Sequence, residues 1–261
     1  MEEQNASKMA LPFLRMGNGE PLVLLHGLSE CKEGWFKQFE FADQYQLIIP
    51  DLRGHGINPT LEGISIENFA SDVISLLDLL KIERAHICGF SMGGIVAQEI
   101  YRQAPEKCFS LVFACTTPYF FDRLGRIIGK FVKIRSLILS PNQRKNIVFR
   151  SSFYSWKKEN FDDLDKCLKA NVEGVFKSID AIVEVDNRSL LPEITVPTLV
   201  IGAQYDALIP VKIAIFMYKH IQNSDLVILK KAGHIAKIEA AKEFNQCMLH
   251  FLSKHPMASE S

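Results

Sequence analysis

Short apolar runs recur along the chain. Between them lie longer stretches in which apolar residues return every three or four positions. The runs read as strands: Pro21-Leu22-Val23-Leu24-Leu25, Leu47-Ile48-Ile49-Pro50, Ala85-His86-Ile87-Cys88, Ser110 to Cys115, Thr198 to Gly202 and Asp225 to Leu229. Their near-continuous apolar character fits strands buried on both faces. Leu11 to Met16 adds one short strand, and Gly17-Asn18-Gly19 is a hairpin turn signal. Ser65 to Leu80 is amphipathic, with Phe69, Val73, Leu76, Leu77 and Leu80 at helical spacing and Ser65 as N-cap. Trp35 to Phe41 predicts a short helix, Ile95 to Ile100 another, and two more span about 211–221 and 237–253. Residues 1–8 read as a disordered start. Strands alternating with helices imply right-handed crossovers and a mostly parallel central sheet flanked by helices. In such sheets ligands bind at the carboxyl ends of the strands.

Residues 118–193 break this rhythm. They are helix-like, rich in aromatics such as Tyr119, Phe120, Phe149, Phe153, Tyr154, Trp156 and Phe161, and inserted between two strands. The chain therefore divides into a core of residues 1–117 and 194–261 and a helical cap of residues 118–193. The first part of the cap is basic, with Arg123, Arg126, Lys130, Lys133, Arg135, Arg144, Lys145, Arg150, Lys157 and Lys158 against Asp122. On one helix Leu124, Ile127, Ile128 and Phe131 would face one way and the cations another. The plain reading is a solvated lid face. The sharper readings are peripheral membrane contact and steering of an anionic substrate.

Composition narrows the classes. Lys plus Arg is 30 and Asp plus Glu is 30 in 261 residues, so no global field argues for nucleic acid. Cys31, Cys88, Cys108, Cys115, Cys167 and Cys247 are scattered, several within apolar runs, as buried free thiols are. With the acidic, polar start Met1-Glu2-Glu3-Gln4-Asn5, which lacks the regions of a secretory signal, they point to a reducing, cytoplasmic setting. No run approaches the roughly 20 apolar residues of a membrane span, so no stable membrane insertion is expected. No Cys/His cluster has zinc spacing, and neither a metal nor another cofactor is expected.

Candidate chemistry centres on Gly89-Phe90-Ser91-Met92-Gly93-Gly94, between a strand-like run and a helix-like one. A Ser between glycines at such a turn is the nucleophile-elbow pattern. The turn is tight enough to strain the Ser backbone, so the residues two before and two after it must lack bulk. In return the hydroxyl stands at a helix N-terminus, where N–H groups meet developing negative charge. A Ser hydroxyl needs a base, and the base needs an orienting group. Of seven histidines, His234 in Ala232-Gly233-His234 follows the last strand on a loop before the final helix. His26 and His55 sit at strand ends beside glycines, in positions that loop structure explains, and His86 lies inside a strand. The acid is Asp206, just past a buried strand in a loop closed by Pro210, with Asp122 as the candidate one strand earlier. Oxyanion donors are the backbone N–H of Met92 and that of Leu28 in His26-Gly27-Leu28. His26, Phe90, Phe120, Phe153 and Trp156 are the substrate-pocket candidates.

Taken together, His26-Gly27, Asp51-Leu52-Arg53-Gly54-His55-Gly56, the Ser91 hexapeptide, Gly202 with Asp206 and Pro210, and Gly233-His234 resemble the α/β-hydrolase superfamily, in its order. The Ser-Met-Gly-Gly form is similar to the branch of enol-lactonases, haloperoxidase-like esterases, carbon–carbon bond hydrolases and menaquinone-pathway synthases. Two features depart from the pattern: a short or missing first strand, and Asn58 where a Ser is common. The resemblance implies a small-molecule carboxylic ester, thioester or lactone as substrate, cleaved through an acyl-enzyme by a monomer or homodimer. Carbon–carbon bond hydrolysis or a lyase-like reaction on the same residues is the first alternative. A ligand sensor with slow turnover is the second.

Overall fold

Strands that are apolar on both faces must be covered on both faces. The computed structural model, which describes residues 2–3, 11–120 and 140–257, shows how this chain does it. The strands are β1 (Glu2–Glu3), β2 (Phe13–Met16), β3 (Glu20–Leu25), β4 (Tyr45–Pro50), β5 (Ala85–Phe90), β6 (Cys108–Ala114), β7 (Thr198–Ala203) and β8 (Ser224–Leu229). They form one eight-stranded sheet in the order β1-β2-β4-β3-β5-β6-β7-β8. From β4 to β8 every pairing is parallel, whereas β2 joins β4 antiparallel. The short first strand is thus present and paired. The expected disordered start is corrected at Glu2–Glu3, which pairs antiparallel with Leu14 and Arg15.

Successive strand residues feed opposite faces of the sheet. Val23, Leu25, Ile48, Ile87, Leu111 and Val200 belong to one core cluster. There they pack with α1 (Ile66–Leu79), α2 (Met92–Gln103) and α6 (Val211–His220). Leu22, Leu24, Leu47, Cys88, Val112 and Ile201 belong to the other. That face is closed by a 3-10 helix over Lys32–Asp43, which carries Trp35 and Phe41, and by α8 (Ala241–Lys254). The helix expected over Trp35 to Phe41 is therefore longer than its apolar residues suggest. The helix expected over 237–253 is two, α7 (Ala236–Glu239) and α8, broken at Ala240.

Between β6 and β7, which are neighbours in the sheet, lie α3 (Pro141–Ser152), α4 (Lys158–Cys167) and α5 (Val172–Val183). The basic helix expected near Arg123 to Arg135, and Asp122 with it, falls outside the described residues. The described part is sewn to the loops that leave the strands. The Gly56 N–H donates to Lys169 O at 2.6 Å, the Asn171 N–H to Gly54 O at 3.0 Å, and the Ile235 N–H to Ser152 O at 3.0 Å. The insertion therefore rests against the carboxyl ends of β4 and β8.

Ser65 caps α1, its Oγ accepting the Asn68 N–H at 3.1 Å. Replacing Ser65 by Ala removes that acceptor and is expected to cost about 1 kcal/mol of folding free energy. Urea unfolding of S65A beside the wild type checks this; an unchanged midpoint would show that water serves the Asn68 N–H equally well.

Candidate active site

The sharp turn between β5 and α2 comes first, because everything else is aimed at it. Ser91 has φ 53° and ψ −117°, a region that costs a non-glycine residue of order 1–3 kcal/mol. Neighbouring bonds hold it there. The Ser91 N–H donates to Ala114 O at 2.9 Å, and the Thr116 hydroxyl donates to Ser91 O at 2.7 Å. Glycines at 89 and 93 make the turn possible. A Cβ on Gly89 would overlap Gly93 O, and one on Gly93 would overlap Leu25 O. The first turn of α2 thus lies directly against the end of β3.

That contact brings the loop after β3 beside Ser91. Gly27 donates its N–H to Glu30 Oε2 at 3.0 Å, and the Glu30 N–H returns to Gly27 O at 3.2 Å. Leu28 sits inside this turn, and Met92 is the first residue of α2. Among the described residues neither the Leu28 nor the Met92 N–H donates to a protein acceptor. Both can therefore serve an incoming oxyanion, helped by the positive end of the α2 dipole.

His234 and Asp206 arrive from the other half of the sheet. His234 Nε2 stands 2.9 Å from Ser91 Oγ, and His234 Nδ1 stands 2.8 Å from Asp206 Oδ2. With Nδ1–H given to the carboxylate, Nε2 is left as the acceptor for the Ser91 hydroxyl. Asp206 follows β7 and is itself fixed: its Oδ1 accepts the N–H groups of Leu208 and Ile209 at 2.9 and 2.7 Å. Asp206 is 7% and His234 6% exposed, so water competes little for these bonds. The arrangement can take a proton from Ser91, store the positive charge on the imidazole and return the proton to a leaving group. Among the described residues no three His, Cys, Asp or Glu side chains stand close enough to share a metal ion. All six cysteines are free, and burial pushes the Cys108 and Cys167 thiols up to about 12.

The pocket candidates separate. Phe90 is buried with its ring 5.2 Å from that of His234, beneath the imidazole. Phe153 is buried against Phe149, and Phe120 is half-buried against the α2 side of the core. Two candidates are corrected. Trp156 is 63% exposed, under the Arg150 guanidinium, and faces solvent. His26 is fully buried with both ring nitrogens committed: Nδ1–H donates to Gly27 O at 2.9 Å, and Nε2 accepts the Leu52 N–H at 3.1 Å. It ties the β3 and β4 loops together. Asn58 does similar work, donating from Nδ2 to Asp51 O at 3.0 Å. Sequence reasoning passed over Thr116, Glu30 and Glu239, whose partners lie far away or on the backbone.

Against this geometry, residues 20–241 match the family described as alpha/beta hydrolase fold, and the chain belongs to that family. It is 29% identical over 249 residues to 3-oxoadipate enol-lactonase 2 of Acinetobacter baylyi, covering 93% of each chain. It is 26% identical to the pimeloyl-[acyl-carrier protein] methyl ester esterase of Aeromonas salmonicida, covering 94% of this chain and 100% of the relative. Among solved structures, a thermophilic esterase from Thermogutta terrifontis superposes with a TM-score of 0.87 at 26% identity, over 95% of this chain and 94% of that one.

The buried histidines make stability depend on pH. Burial, aided by His55, holds the His26 pKa well below the ordinary value, and burial lowers that of His55. The unfolded chain binds these protons near pH 6.5 while the folded one does not, so stability is full above about pH 6.5 and declines below it. The melting temperature is expected to fall between about pH 6.5 and 5, and to fall less in H55Q. A wild-type melting temperature that stays level across that window contradicts this.

Proposed function

We propose that this α/β-hydrolase cleaves a carboxylic ester, thioester or lactone of a small, largely apolar substrate through an acyl-enzyme. The observation that carries the reading is the unbroken path from Asp206 through His234 to Ser91, at 2.8 and 2.9 Å. His234 Nε2 takes the Ser91 proton as Oγ attacks the carbonyl carbon. The carbonyl π bond becomes an oxyanion, received by the N–H groups of Leu28 and Met92. As the oxyanion collapses, the bond to the leaving oxygen or sulfur breaks and His234 returns the proton to it. Water then repeats the sequence, its proton passing through His234 to Ser91 Oγ as the acid departs. Asp206 keeps the proton on Nδ1 and stabilises the imidazolium.

Residues 118–193 serve as the cap over this site. The bonds from Lys169, Asn171 and Ser152 to the strand-end loops support that assignment. The aromatic character of the cap favours an apolar acyl or alcohol portion. The named relatives, an enol-lactonase and a methyl ester esterase, support ester or lactone over carbon–carbon bonds. The free thiols support a reducing compartment, the cytoplasm. Among the described residues no helix is long and apolar enough to cross a membrane.

Hydrolysis of para-nitrophenyl esters from acetate to laurate tests the reading. Wild type is expected to turn over with a preferred chain length. S91A and H234A are expected to lose roughly 10³-fold or more in kcat, with D206N also impaired. Activity that survives in S91A would place the nucleophile elsewhere. An inert wild type would turn attention to lactones and carbon–carbon substrates, and after those to ligand binding without turnover.

A further inference from the structure

Backbone N–H groups from two distant segments converge on one carboxylate. Glu239 closes α7, five residues past His234. Its Oε2 accepts the Gly233 N–H at 2.8 Å and the Tyr154 N–H at 2.9 Å, and its Oε1 accepts the Ser155 N–H at 2.6 Å. Gly233 immediately precedes His234. Tyr154 and Ser155 lie in the insertion, between α3 and α4. The two segments touch so closely that a Cβ on Gly233 would come within 2.6 Å of Ser152 O. The Tyr154 ring also stacks on Tyr205, the residue before Asp206, at 4.5 Å between centroids.

We propose that Glu239 is a positioning residue that fixes the His234 loop and the inserted segment to each other, so that the seating of the cap and the aim of the imidazole are set together. The proposal rests on the Ser91–His234–Asp206 reading above. N–H bonds to a carboxylate are shorter and stronger than those between neutral groups, and here one charge gathers donors from both segments. Glutamine cannot take its place, because it keeps one acceptor oxygen and turns an NH2 toward N–H groups. Glu239 reaches no reacting atom. Its influence on chemistry runs through the backbone of Gly233.

Amide hydrogen exchange and ester kinetics on E239Q and E239D, beside the wild type, test this. In E239Q, peptides spanning 152–156 and 231–236 are expected to exchange about tenfold faster or more together, with β5 and β6 unchanged. The kcat per folded enzyme is expected to fall about tenfold to a hundredfold across the ester series, with KM for the shortest ester nearly constant. The preference among chain lengths should flatten as well. E239D, which keeps the charge one methylene short, should recover part of the lost kcat. A merely structural role would lower the melting temperature and leave kcat per folded enzyme and the chain-length profile in place, and that result overturns the proposal. So does acceleration of exchange in one segment without the other. If E239Q does not fold, E239D is read by the same criteria. If the wild type hydrolyses no ester, the ester-hydrolase reading fails, and exchange in the two segments alone decides whether the clamp exists.

Discussion

A side chain at position 93 would collide with the backbone of Leu25. This close approach, between the start of α2 and the end of β3, is the constraint on which the site depends. It forces Ser91 into a backbone conformation that few side chains adopt, and it carries the hydroxyl clear of the sheet. The same approach sets the loop after β3 beside the first N–H of α2. Strain at one residue and the nearness of the Leu28 and Met92 N–H groups thus share one cause. The cost is met by bonds outside the turn, from Ala114 O and the Thr116 hydroxyl.

Around that turn the loops are fixed by buried polar groups. His26 stays neutral so that Nε2 can accept from Leu52 while Nδ1–H serves Gly27 O. Asp51 receives the Lys32 N–H at 2.7 Å and the Lys32 ammonium at 2.9 Å, both fully buried. Removing Lys32 would leave the buried Asp51 carboxylate without its cation, so the pair enforces one loop arrangement whatever its net contribution to stability. The loops that present Leu28 and support the insertion are therefore rigid for electrostatic as much as for packing reasons.

The insertion between β6 and β7 is bound differently. Its contacts with the core run through backbone, at Lys169 O, Asn171 N–H, Ser152 O and the N–H groups that Glu239 gathers, and through side chains, as in the Lys37–Asp163 ion pair, the Arg102–Asn187 bond and the packing of Phe149 and Leu164. The insertion is therefore held by polar bonds and by apolar burial together.

The sheet, its mostly parallel order and the turn at Ser91 were legible from local pattern, because burial on both faces leaves continuous apolar runs and a strained turn demands glycine at fixed offsets. His234 and Asp206 were legible from their places just past strands. What pattern missed was set by contacts between segments far apart in sequence. Trp156 looked like pocket lining and is exposed, while His26, another pocket candidate, is locked between two loops, as its place beside a glycine suggested. Glu239 carries no local signal, and the fold brings the Tyr154 and Ser155 N–H groups to it. Burial and backbone geometry within a few residues account for the sheet, the strained serine and the chain order of Ser91, Asp206 and His234. Which polar side chains stand beside Ser91 and which hold the loops was set in three dimensions, because a hydrogen bond depends on a partner's position in space and local sequence carries no record of it.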